Sequence, residues 1–112
     1  VTKLSVSEIL DRAAAVIEPE GAWTQGVYAK DAKGHTTSPV SRINPPVCFC
    51  MLGAVMRAAG TSRDDSRPLK FLELHGGYAG RHWAWNDSVH RTQPEVVAKL
   101  REAASLAREK GL

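Results

Sequence analysis

Apolar residues recur with a helical period at both ends of the chain and lose that period in between. Ile9, Leu10, Ala13, Val16 and Ile17 are spaced three and four apart, which puts them on one helix face. Ser5-Val6-Ser7-Glu8 just before them has the form of a capping box, whose side chains serve backbone N–H groups that a first helical turn leaves unpaired. Pro19 ends this helix, and Glu18 ahead of it is pushed out of the α region. At the other end, Val96, Val97, Leu100, Ala103, Ala104 and Ala107 form a broad apolar face. Lys99, Arg101, Glu102, Arg108, Glu109 and Lys110 occupy the opposite face. Thr92-Gln93-Pro94-Glu95 is a second capping box, with proline early in the helix where its missing N–H does no harm.

The middle of the chain reads as shorter pieces. Trp23, Val27 and Tyr28 within 21–30 suggest a short strand, because aromatic and β-branched residues suit a half-buried pleated surface. Asp31-Ala32-Lys33-Gly34 is a turn signal. Residues 35–43 are expected to return as a second strand, with Pro39 placing it at an edge. Asn44-Pro45 reads as a helix entry, Asn44 as N-cap and Pro45 as the first helical residue. That helix runs to Ala59 and ends at Gly60. Its small residues, Gly53-Ala54 and Ala58-Ala59, allow close approach of neighbours. Residues 61–67 form a polar loop, and 68–75 open another short helix that Gly76-Gly77 ends. Residues 78–91 are irregular and aromatic-rich.

The expected architecture is therefore α+β: a mainly helical single domain over residues 1–112, with three to four helices plus a small β-hairpin. The N-terminal, cysteine-bearing and C-terminal helices pack together. Trp23 and Trp85 close one end of the core near the entrance to the cysteine-bearing helix.

Composition narrows the classes. With 43% hydrophobic and 24% charged residues, the chain looks like an ordinary globular domain. No apolar run nears the roughly 20 residues needed to span a bilayer, and 1–5 carry no signal-peptide pattern, so no membrane role and a cytoplasmic location are expected. The net charge of +3 comes from basic residues scattered among acids. A nucleic-acid partner is compatible with this but not favoured, since such proteins concentrate Lys and Arg on one face.

The chemically suggestive residues form three groups. Both cysteines lie at Cys48-Phe49-Cys50, and a bridge between such close neighbours is strained. If both are helical they point about 200° apart and cannot share a ligand. Free cysteines most often behave as small buried hydrophobes. The alternative is a thiolate favoured by a helix N-terminus, with His82 or His90 as base and Asn86 or Asp87 orienting the ring. A zinc set would have to be drawn from Cys48, Cys50, His75, His82 and His90, but the usual hairpin spacing is not met, so no metal is expected. Trp83 and Trp85, two apart, suit an extended segment presenting both rings on one face. Trp23, Gln25 and Trp85 are the candidate binding residues of an aromatic pocket with a polar rim. Gly76-Gly77-x-x-Gly80 is only loosely like a phosphate loop and lacks a preceding strand. No cofactor is implied.

Three segments together carry a resemblance: Ile9–Ala14 continuing through Glu18-Pro19-Glu20-Gly21-Ala22-Trp23-Thr24-Gln25-Gly26, then Cys48-Phe49-Cys50-Met51-Leu52-Gly53-Ala54, then Ala84-Trp85-Asn86-Asp87 with Arg91-Thr92 and Glu95-Val96-Val97. The chain resembles a family of small uncharacterised proteins from bacteria and their phages, over most of its length except 36–43 and 61–80. The family pattern of one Cys before the Leu-Gly-Ala turn matches Cys50. The resemblance implies a bacterial or phage source and a single small domain, and it transfers no catalytic residues. The expected function is that of a small accessory protein that binds a macromolecular partner, a protein by preference, in phage–host conflict or regulation. A homodimer through the long C-terminal helix is compatible with this. The alternative is a small thiol-dependent hydrolase or transferase using Cys50, His82 or His90, and Asn86 or Asp87.

Overall fold

Helix α1 (Val6–Ile17) begins where the capping signal lies. The Glu8 N–H donates to the Ser5 hydroxyl oxygen at 3.2 Å, and that hydroxyl donates to the Glu8 carboxylate at 3.0 Å. The structure, a computed structural model, describes residues 4–60, 66–75 and 82–112, and only the backbone of Ser66, His82 and Trp83. Of the polar loop expected over 61–67, residues 61–65 lie outside the described residues, as do the glycines at 76, 77 and 80, while Ser66 and Arg67 belong to a helix.

The periodic face of α1 is the centre of the core: Ile9, Leu10, Ala13, Ala14 and Ile17 are all buried. Against it runs α5 (Gln93–Glu109), which contributes Val96, Leu100, Ala103, Ala104 and Ala107. The alanines let the two axes come close. The helices are antiparallel, and each end is tied. The Ser7 hydroxyl donates to the Leu112 carbonyl at 2.8 Å. At the opposite end the Gln93 carboxamide donates to the carbonyls of Ile17 at 2.5 Å and Pro19 at 2.7 Å. A side chain from the start of one helix thus serves carbonyls that the end of the other leaves unpaired. Ion pairs of Arg101 with Glu18 and of Arg108 with Asp11 line the seam on the outside; being exposed, they add little. The Glu95 carboxylate accepts from both the N–H and the hydroxyl of Thr92, each at 3.0 Å, as the second capping signal requires.

Three more helices complete the helical layer: α2 (Met51–Ala59), α3 (Ser66–His75) and the short α4 (His82–Asn86). α2 buries Met51, Leu52, Ala54 and Val55, and α3 buries Leu69, Phe71 and Leu72. Gly60 ends α2 in the left-handed conformation, φ 76°, its N–H donating to the Met56 carbonyl at 3.0 Å. Two strands, β1 (Ala29–Asp31) and β2 (Pro46–Phe49), pair antiparallel, Ala29 opposite Phe49 and Lys30 opposite Cys48. The α+β class is as expected, with a small two-stranded sheet beside the helices.

Several local expectations are corrected. The partner of β1 is 46–49 and not 35–43. The Asp31–Gly34 turn does form, with the Gly34 N–H donating to the Asp31 carbonyl at 3.0 Å, but the returning chain makes only a bridge between Lys30 and Thr36 before it leaves. Asn44-Pro45 does not start a helix. The chain stays extended through Phe49, because the Phe49 N–H and C=O pair with Ala22 and Thr24 while Cys50 N–H pairs with Tyr28. The helix starts at Met51 with Cys50 as its N-cap. The segment carrying Trp83 and Trp85 is one helical turn and a half, not extended.

Candidate functional site

Asn86, the last residue of α4, is fully buried and joins three segments far apart in sequence. Its carboxamide oxygen accepts from the Trp23 indole N–H at 2.7 Å and from the Met51 backbone N–H at 3.0 Å. Its amide nitrogen donates to the Thr24 carbonyl at 3.2 Å and to Asp87 Oδ1 at 2.9 Å. Both lone-pair sites and both N–H groups are therefore used, which is what a buried amide needs to avoid a desolvation penalty. Gln25 closes the same clasp by donating to the carbonyls of Asn86 at 2.8 Å and Ser88 at 3.0 Å. The Gly26 N–H donates to Asp87 Oδ1 at 3.0 Å. The segments Trp23-Thr24-Gln25-Gly26 and Asn86-Asp87-Ser88 are two halves of one hydrogen-bonded clasp, locked to the first residue of α2.

The clasp shapes an open cleft of about 430 Å³ lined by Gly26, Val27, Tyr28, Thr36, Cys50 and Asp87. Cys50 is the buried residue of that lining, and α2 starts from it. Its sulfur accepts the Gly53 N–H at 3.3 Å, the bond of an N-cap. Burial pushes the thiol above its ordinary value. The Gly53 and Leu52 N–H groups oppose that shift, and the Asp87 carboxylate adds to it. Desolvation thus outweighs the helix N-terminus. Tight packing fixes the position: a methyl at Gly53 would sit 2.0 Å from the Tyr28 carbonyl oxygen, so only glycine lets α2 reach the backbone just before β1.

The other candidates are dispersed. Cys48 is half-buried in β2, opposite Lys30. His90 is exposed in the turn between α4 and α5, and among the described residues no histidine hydrogen-bonds to Cys50. The side chain of His82 lies outside the described residues. His75 ends α3, its ring 4.5 Å from that of Phe71. No group of three or more His, Cys, Asp or Glu among the described residues is placed to hold a metal ion. Trp85 is packed against the core with the Arg91 guanidinium 3.9 Å above its ring, and Arg91 also donates to the Trp85 carbonyl at 2.9 Å.

Of the binding candidates, Trp23 and Gln25 are brought to the clasp, where their side-chain N–H groups donate to Asn86 and Ser88. Tyr28, Thr36 and Gly26 line the cleft and were not singled out by sequence. The one signal for them was indirect: Gly26, at φ 84°, turns the chain under Asp87. No helix among the described residues is long and apolar enough to cross a membrane.

Residues 1–106 match the model of a family of unknown function (DUF6197), and the chain belongs to that family. Neither a curated protein nor a solved structure matches it.

Proposed function

We propose that this member of a family of unknown function is a small accessory protein that works by binding a protein partner, without chemistry of its own. The observation that carries the reading is the state of Cys50. The residue is only 5% exposed, its sulfur caps α2, and burial holds it in the thiol form. The polar atoms that suggested catalysis, those of Asn86 above all, are consumed in holding the fold. What remains on the surface suits recognition: large apolar side chains such as Leu74 and Leu112 stand exposed, 67% and 47%, beside one groove. A bacterial or phage source, with a role in phage–host conflict or regulation in the cytoplasm, belongs to the same proposal and rests on the sequence resemblance.

The test is capture from an extract of the cells that make the protein, followed by reconstitution from two purified chains. A partner that binds the purified protein equally well with Cys50 intact or as Cys50→Ala is the expected result. The reading is overturned if no purified protein binds at micromolar concentration, or if the chain shows a turnover that Cys50→Ala abolishes.

One observation favours a second reading. The cleft reaches Cys50 at a helix N-terminus with a carboxylate on its rim, so a thiol-dependent hydrolase or transferase has a place for substrate. It requires a base at Cys50 and a thiolate near neutral pH. The raised value of the thiol speaks against the second requirement.

A further inference from the structure

A groove of about 510 Å³ lies away from the clasp, between the start of α1, one face of α3 and the C-terminal residues. Val6 and Phe71 form its buried floor, 6% and 4% exposed, while Leu74 and Leu112 stand along its rim. Lys70, one turn before Leu74, and Arg67 give the lining its positive charge. Among the described residues no carboxylate pairs with Lys70. Glu8, the acid of the neighbouring first turn of α1, accepts from Ser5. Arg67 is engaged differently, donating to the Leu4 carbonyl at 3.0 Å and so tying α3 to the start of α1.

We propose that this groove docks an acidic amphipathic helix of a protein partner; the proposal rests on the binding reading above and names its surface. Three features fit this occupant. The groove is walled by two helices, and an apolar helix stripe laid across it covers Leu74 and Leu112 at once. The lining is mostly apolar with a basic edge, so carboxylates flanking the stripe meet Lys70 while the apolar side chains meet Phe71. The rim is open, which suits a helix lying on it. A free acyl chain would need walls that enclose it, and here Leu74 is 67% exposed.

The test uses the full chain and a fluorescein-labelled peptide of leucine and glutamate with leucines at helical spacing. Its counterpart carries lysine for glutamate. Fluorescence anisotropy should show the acidic peptide binding about tenfold or more tighter than the basic one, with the difference shrinking in high salt. Lys70→Glu should remove that preference, and Leu74→Asp should weaken binding of the acidic peptide by about tenfold or more. Both positions are exposed, so circular dichroism of each variant should match the wild type. Equal binding of the two peptides, or acidic-peptide binding unchanged in both variants, overturns the proposal. Anionic phosphatidylglycerol vesicles that bind as tightly as the peptide, in a Lys70-dependent way, overturn it in favour of a lipid surface. A reconstituted natural partner that binds both variants as it binds wild type overturns the groove and leaves the binding reading standing. Failure to obtain any partner, with the peptide results as expected, overturns the binding reading instead.

Discussion

Replacing Asn86 should damage the fold more than any surface substitution, and the size can be worked from its bonds. Asn86→Ala strands the Met51 N–H, the Trp23 indole N–H and the Thr24 carbonyl, and removes one of the two donors to Asp87 Oδ1. The Met51 N–H lies in the buried core, where an unsatisfied donor costs about 1–3 kcal/mol. Trp23 and Thr24 are half-buried, so water recovers part of what they lose, leaving about 1 kcal/mol each. The sum is about 3–5 kcal/mol, a large share of the roughly 6–17 kcal/mol expected for a chain this long. Urea unfolding followed by tryptophan fluorescence should show the midpoint falling by about 2 M at unchanged slope, for a slope near 2 kcal/mol per M. A loss below about 1 kcal/mol refutes the idea that Asn86 is the node of the clasp.

Asn86→Asp sharpens the test, because it keeps the shape and the accepting oxygen but replaces the donating nitrogen with an oxygen. That oxygen then faces the Thr24 carbonyl and the Asp87 carboxylate. Burial and the neighbouring carboxylate raise the introduced carboxyl above its ordinary value of about 3.9 in the folded state. A raised acid favours the fold below its unfolded value and loses that contribution as pH rises through the folded value. The variant should therefore sit closest to wild type below about pH 4 and fall away toward neutrality. A pH-independent gap contradicts the bond assignment.

Other outcomes follow from the same physical reasoning. Gly53→Ala should cost about 3 kcal/mol or more, because its methyl meets the Tyr28 carbonyl oxygen and backbone cannot move aside cheaply; Gly60→Ala, in open space but left-handed, should cost only about 1–2 kcal/mol, and thermal unfolding ranks the two. Gln93→Ala should lower stability by about 1–2 kcal/mol by uncapping the end of α1, a loss that an exposed control such as Glu102→Ala should not reproduce in denaturant melts. Hydrogen bonds from the Thr92 hydroxyl and from Arg91 hold the Glu95 carboxyl below its ordinary 4.5. A depressed acid stabilises the fold above its unfolded value and loses that effect as pH falls through the folded value, so the deficit of Glu95→Gln should be present at pH 6 and fade only as pH falls from 4.5 through the lower folded value, read from paired melts from pH 6 down to about pH 3.

What the chain spells out locally, it spells out well. Ser5 and Glu8, Thr92 and Glu95, and Gly60 mark helix ends because capping is settled within three or four residues. The periodic faces of α1 and α5 are legible for the same reason. The strand at Pro46–Phe49 is not, since Asn44-Pro45 is as good a local helix entry as any, and the extended backbone is set by pairing with residues 22–30. Cysteine is also an unusual N-cap, so the stronger local signal at Asn44-Pro45 masked Cys50 as the start of α2. Asn86 is the plainest case. Its partners lie 63, 35 and 62 residues away, and nothing in the sequence around it distinguishes a turn asparagine from a buried node. The groove beside α3 was invisible for a related reason: it is made by three segments that meet only in the fold.

The most direct measurement is the alkylation rate of each thiol against pH on the native protein, resolved by mass spectrometry. Cys50 should stay protected through neutral pH, react only above the ordinary thiol range or on unfolding, and be indifferent to His82→Ala and His90→Ala, while half-buried Cys48 reacts first. Fast alkylation of Cys50 below pH 7 that slows in either histidine variant contradicts a purely binding role and brings the thiol enzyme forward.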